Sequence, residues 1–181
     1  DWKNEGAQLT VDGMEVEVVA AEYSAPCNVT GKLVCVSTIQ ELQATDFHNK
    51  ICVMYGELCK EPLMAKSMIF WNPEEHKAII RELESKQPLA ISTVSFLPDV
   101  PVPIIQDGDF NIPCAALKGD LLDVLLNSKE DASLQIITER QPTTAANVIA
   151  TYGKGPGKVS FSAHIDTKPT TPGALDNGSG V

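Results

Sequence analysis

Three short apolar runs constrain what this chain can fold into. GKLVCVS (31–37), NKICVMYG (49–56) and PLAISTVS (88–95) are each bounded by polar or turn-forming residues and read as strands. Helical patterns separate them. TIQELQAT opens on Thr38 and carries Glu41 three residues on, a capping box that predicts a short helix. In NPEEHKAIIRELESK, Asn72 is a good N-cap and Pro73 suits the first helical position. Glu74 and Glu75 favour the positive start of that helix, and Ile79, Ile80 and Leu83 share one apolar face. Strands interleaved with helices predict a mixed α/β body.

Upstream, GMEVEVVAA sets Met14, Val16 and Val18 against Glu15 and Glu17, the alternation of a half-buried strand. EPLMAKSMIFW (61–71) has no clean period and reads as irregular. VPVPIIQDGDFNIPCAALK is rich in Pro and Asp and ends in an apolar run, after which Asp120 can cap a short helix over LLDVLLN (121–127). ASLQIITERQ (132–141), AANVIATYG (145–153) and KVSFSAHID (158–166) read as strands, with GKGPG (153–157) as a hairpin-type turn. The composition break near NSKEDAS (127–133) is the best boundary. It predicts a mixed body over 1–131 and a β-rich tail over 132–181.

The chain has 181 residues, 43% hydrophobic and 21% charged, enough for a core and for one domain or slightly more. Its net charge of −10 argues against nucleic acid or an anionic membrane surface as partner, since both need basic patches. No apolar stretch reaches the length of a membrane-crossing helix. No secretory signal is read, but the chain begins at Asp1, so secreted, periplasmic and cytoplasmic locations all stay open. The five cysteines are odd in number and form no C-x-x-C pair. Cys35, Cys52 and Cys114 sit in apolar runs and read as small buried hydrophobes. Disulfides Cys27–Cys35 or Cys52–Cys59 stay open.

The chemistry concentrates in SAHIDTKPTTPGALDNGSGV (162–181). On a strand, His164 and Asp166 point to the same side. The imidazole can ligate a metal through one nitrogen while the carboxylate orients the ring. Asp176 follows twelve residues on and could bridge two metal ions. Gly173, Gly178 and Gly180 give the loop backbone freedom. The competing reading is an ordinary surface turn, which also collects Asp, Asn and Gly, and a metal site needs three or four ligands. His48 and His76 read as exposed polar residues, and Glu74–Glu75 as a helix start.

The run TTAANVIATYGKGPGKVSFSAHIDTKPTTPGALDNGSGV resembles the start of the catalytic domain of metallopeptidase family 28, whose aminopeptidases carry two co-catalytic zincs. The likeness is continuous over about forty residues and follows the family order: an N-V-I-A strand, a strand ending in A-H-x-D, then P-G-A-x-D-N-x-S-G-V. It implies that His164 ligates one zinc and that Asp176 bridges both. It also implies that Asp166 holds the imidazole of His164 and that a cis peptide precedes Asn177. The family's Glu-Glu pair, a further acidic ligand and a last His lie downstream of this stretch. GKLVCVS, NKICVMYG, PLAISTVS and FNIPCAALKGDLLDVLL are similar in order to a protease-associated (PA) domain, a non-catalytic module often inserted in this family.

The resemblances together imply a PA-like, β-rich accessory domain with short flanking helices over 1–131. The first strands of an incomplete phosphorylase/hydrolase-like zinc exopeptidase domain would follow over 132–181. They imply a peptide substrate cleaved at its N-terminus, zinc as cofactor, and a piece of a longer enzyme that is inactive alone for want of the downstream base. Two alternatives are carried beside this. One is a non-catalytic lid or interaction module; the other is a zinc acyltransferase of glutaminyl-cyclase type. Unpaired strands at 145–166 predict self-association or packing against the accessory domain.

Overall fold

The computed structural model describes residues 1–167 and 172–181. It divides into two compact units, Asp1–Thr143 and Thr144–Val181.

Unit 1 holds all the strands among the described residues: β1 (Trp2–Val11), β2 (Met14–Val16), β3 (Val19–Ala20), β4 (Cys27–Val36), β5 (Lys50–Met54), β6 (Ala90–Val94), β7 (Cys114–Leu117) and β8 (Ala132–Arg140). Helices α1 (Ile39–Ala44), α2 (Glu74–Lys86) and α3 (Leu122–Leu126) flank them. The sheet order is β2-β1-β8-β4-β5-β6-β7-β3. β4, β5, β6 and β7 run parallel, and the remaining pairings are antiparallel. The long strand β4 joins the two halves: Cys27–Gly31 pairs with β8, and Lys32–Val36 pairs with β5.

Two residues decide the overall curvature of this sheet. Only Glu17 and Val18 separate β2, at one edge, from β3, at the other. Two extended residues span roughly 7 Å. The sheet must therefore curl until its edges meet, and β1 does touch β3. The single strand predicted over 13–21 is in this respect a correction. It breaks in two at the point where the chain passes between edges, and Met14 is exposed rather than inward.

Curling creates an inside and an outside, and period-2 alternation fills both. On β5, Ile51 and Val53 join Leu9, Val11, Val94, Leu117 and Leu134 inside the curl. Cys52 and Met54 face the other way and pack with Ile79 and Leu83 of α2, Leu42 of α1 and Phe47. Each fully buried side chain of this size contributes roughly 1.5–3 kcal/mol.

The predicted helix signals are met unevenly. Thr38 Oγ1 accepts from the Glu41 N–H at 3.2 Å, while the Glu41 carboxylate accepts from the Ser37 N–H at 2.7 Å, one residue further back than in a standard box. Asn72 does not cap α2. Pro73 takes the cap position without a side-chain bond, and Asn72 Nδ2 donates to Ala65 O instead. Asp120 does not cap α3 either; it lies in a 3-10 turn, Gly119–Leu121.

Three further expectations change. β8 is integral to the first sheet, between β1 and β4, so the compact division falls at 143/144 rather than at 131/132. The predicted strands 145–153 and 158–166 and the turn between them do not form, because no strand among the described residues lies beside them. His76 is buried rather than exposed: Nδ1 accepts from the Met64 N–H at 3.1 Å and Nε2 lies 3.3 Å from Glu61 Oε1. His48 is exposed. All five cysteines are free thiols, and Cys52, Cys59 and Cys114 are buried. No helix among the described residues is long and apolar enough to cross a membrane.

Candidate metal centre

The residues singled out around His164 all belong to unit 2. This unit has a 3-10 turn, Gly178–Gly180, and no strand among its described residues. Its order comes from a loop closed on itself. Gly178 N–H donates to Gly173 O and Ser179 N–H to Ala174 O, both at 2.8 Å, and Gly180 N–H donates to Asn177 O at 2.8 Å. Asp176 and Asn177 lie inside the ring these bonds close, joined by a cis peptide bond as the family resemblance implies. Gly173 is required twice over. Its φ is +64°, in the left-handed region that favours glycine, and an added Cβ would come within 2.8 Å of the Thr167 side chain.

This loop delivers Asp176 to His164. His164 Nε2 lies 2.9 Å from Asp176 Oδ1. On the other side of the ring, Nδ1 lies 3.0 Å from the Asp166 carbonyl oxygen and 3.2 Å from Asp166 Oδ1. Both ring nitrogens therefore face oxygen acceptors, Nδ1 those of Asp166 and Nε2 that of Asp176. In the tautomer that places the proton on Nδ1, the Nε2 lone pair faces a carboxylate oxygen, an arrangement that a proton or a metal ion between them would satisfy. The same geometry raises the His164 pKa above its ordinary value, first through the Asp166 carbonyl and then through the Asp176 carboxylate.

The three predicted site residues are thus within contact of one another. The backbone carbonyl of Asp166 stands nearer the ring than its carboxylate does, which an H-x-D spacing does not reveal. No group of three or more His, Cys, Asp or Glu side chains suited to a metal ion occurs among the described residues. The donor pair is one nitrogen and one carboxylate oxygen, a chemistry that suits zinc but fills only part of its usual set of ligands. Lys168, Pro169, Thr170 and Thr171, between Asp166 and Asp176 in the sequence, lie outside the described residues. Glu74 pairs with Lys77, and Glu75 with Lys60, at the start of α2.

Comparison with known proteins bears on the same stretch. The model of peptidase family M28 matches residues 147–181. The solved structure of BSAP, a zinc aminopeptidase from Bacillus subtilis, is similar at a TM-score of 0.58 and 20% identity, covering 99% of this chain and 43% of that one. An aminopeptidase from Aneurinibacillus sp. strain AM-1 is similar at a TM-score of 0.53 and 17% identity, covering 77% of this chain and 32% of that one. At these identities the likeness is one of fold. The chain spans less than half the length of either. No curated protein matches it.

Proposed function

We propose that residues 147–181, which match peptidase family M28, supply the first metal-binding residues of a zinc-dependent aminopeptidase acting on peptide N-termini. The observation that carries this reading is the 2.9 Å approach of His164 Nε2 to Asp176 Oδ1 with Nδ1 already held by Asp166. His164 and Asp176 would hold zinc, with Asp176 bridging to a second ion. When bound, zinc supplies Lewis-acid polarisation of the scissile carbonyl. Asp166 fixes the tautomer, keeping the proton on Nδ1 so that the Nε2 lone pair stays available. In that tautomer zinc and a proton would compete for one position at Nε2. Unit 1, β8 included, would form the PA-like accessory body, and residues beyond it the opening of the exopeptidase fold.

Support comes from three directions: the family match, the zinc aminopeptidase among the fold neighbours, and a donor pair of the right chemistry. With two donors, and no carboxylate beside them among the described residues other than Asp166, which is engaged on Nδ1, the chain alone is proposed to be catalytically silent. Its apolar segments at 145–166 are proposed to drive self-association, because Val148, Val159 and Phe161 are almost fully exposed. Light scattering that shows a strict monomer at all concentrations would remove that second part.

The reading is tested by calorimetric zinc titration of the chain beside His164→Ala and Asp176→Ala. Binding that either substitution reduces by tenfold or more supports it. Binding unchanged by both substitutions, or no binding at all, overturns it.

A further inference from the structure

His76 is the one buried histidine, at 2% exposure, and the metal centre makes no use of it. It stands on the first turn of α2 and faces the irregular segment 60–73, which joins the 3-10 turn Gly56–Cys59 to that helix. Its imidazole meets the segment at three points. Nδ1 accepts from the Met64 N–H at 3.1 Å, Nε2 lies 3.3 Å from Glu61 Oε1, and the Trp71 indole stands edge-on with ring centres 6.1 Å apart. A backbone N–H can only donate, so Nδ1 presents its lone pair to Met64. The proton of the neutral ring is then on Nε2, aimed at Glu61.

The segment has few other holds. Leu63 N–H donates to Ile104 O at 2.8 Å and its side chain is buried, which fixes the chain up to that residue. Beyond it, Lys66 N–H donates to Asp107 Oδ2 at 2.8 Å and Lys66 Nζ to Glu84 Oε1 at 2.7 Å, while Asn72 Nδ2 donates to Ala65 O at 3.1 Å. Apolar packing adds little, because Met68, Ile69, Phe70 and Trp71 are all exposed. A stretch held by polar contacts, without a core of its own, belongs to the low-stability end of a fold.

Charging the ring acts on two of these contacts in opposite directions. A second proton has one place to go, the Nδ1 lone pair that the Met64 N–H now uses. Two N–H groups cannot face each other there, so the Met64 amide loses its acceptor. On the other side, an imidazolium makes a stronger, charge-assisted bond to the Glu61 carboxylate. The charged groups about the ring are Glu61, facing it from the segment, and Glu75, its neighbour on α2, which is paired with Lys60 at 2.8 Å. Lys60 also has Glu57 and Glu61 near it. We propose that His76 is a pH-operated latch on residues 64–71. Neutral, it clasps the Met64 amide; protonated from solvent at Nδ1, it shifts its hold to Glu61 and releases the segment. Imidazole is the side-chain type that changes charge between about pH 5 and 8, whereas Asp107 and Glu84 hold the segment through carboxylates. The latch lies wholly in unit 1, so it stands or falls independently of the metal centre.

Amide hydrogen exchange of the chain, read by NMR between about pH 7.5 and about pH 5, tests this. Each rate is divided by the chemical exchange rate at that pH, and the His76 ring nitrogens are followed in the same samples. The Met64, Lys66 and Met68 amides, each hydrogen-bonded in the closed segment, are expected to lose protection about tenfold as Nδ1 gains its proton. Val53 and Ile91, in the central strands, are expected to keep theirs. His76→Asn retains an acceptor for Met64 but cannot titrate, and is expected to abolish the pH dependence. Glu61→Gln, at an exposed position, removes the charge that draws the proton and is expected to move the loss of protection to lower pH. It keeps the test decisive should the histidine variant fail to fold. Protection at Met64 that stays constant while Nδ1 gains a proton overturns the proposal. So does a ring that stays neutral across the range, equal pH dependence in His76→Asn, or a loss of protection unmoved by Glu61→Gln. Simultaneous loss at Val53 and Ile91 also overturns it, since unit 1 would then be unfolding as a whole.

Discussion

Residues 49–56 and residues 158–166 are written in much the same alphabet, short apolar runs with β-branched and aromatic members, yet only the first becomes sheet. NKICVMYG lies between two partner strands, β4 and β6, which satisfy its backbone on both edges. KVSFSAHID has no strand beside it among the described residues, and its Val159, Phe161 and Ile165 stand more than 80% exposed. The lesson is that a strand pattern states a capacity. A neighbouring edge and a covering face turn the capacity into structure.

The sharpest way to break this contrast is to shorten one buried and one exposed aromatic side chain. Phe47→Ala, at a fully buried position, is expected to cost about 3–5 kcal/mol in urea unfolding. Phe161→Ala, at 95% exposure, is expected to stay within about 0.5 kcal/mol. Comparable losses at the two sites would mean that unit 2 has a core the contrast denies it.

A smaller effect is expected from a pair of glycines. A Cβ at Gly119 would lie 2.7 Å from the carbonyl oxygens of Ser95 and Leu97, both backbone, so Gly119→Ala is expected to cost about 1–3 kcal/mol. Gly155→Ala meets open space and is expected to change the unfolding midpoint little. Equal behaviour of the two variants would contradict the packing at the end of β6.

The thiols sharpen the picture of unit 1 without altering its stability. Burial pushes the Cys52 and Cys114 thiols far up and Cys59 up to about 12. A raised thiol pKa keeps the reactive thiolate scarce, so at pH 8 these three are expected to resist alkylation. Half-buried Cys27 and Cys35, raised less by the same cause, are expected to react slowly. Mass spectrometry of the labelled chain, native and in urea, reads this; labelling of Cys59 at equal rates in both would refute it.

Much of unit 1 was legible because its signals are local. The Thr38–Glu41 box, the acidic start of α2 and the three apolar runs each need only a few neighbours to be understood. β1 was missed although Ala7, Leu9 and Val11 alternate with Gln8 and Thr10, and the Asp12–Gly13 pair, both at positive φ, marks the turn that follows. The burial of His76 was not legible, since its partners Met64 and Glu61 come from an irregular loop without a sequence period. The split of the 13–21 run depends on curling of the whole sheet, which no window of that size contains. At the metal centre the residue types and spacing pointed to His164, Asp166 and Asp176. The closeness of the Asp166 carbonyl depends on backbone conformation, which residue types alone do not specify.

The proposal that His164 and Asp176 form a cation-binding pair is tested most directly by the histidine side-chain proton–nitrogen spectrum of the chain during a zinc titration. There are three histidines, His48, His76 and His164, each expected to give its own signals. Zinc is expected to move the His164 Nε2 resonance while Nδ1 keeps its proton, and Asp176→Ala is expected to weaken the response by tenfold or more. Movement of His48 or His76 in its place, or a His164 ring indifferent to zinc, would contradict it.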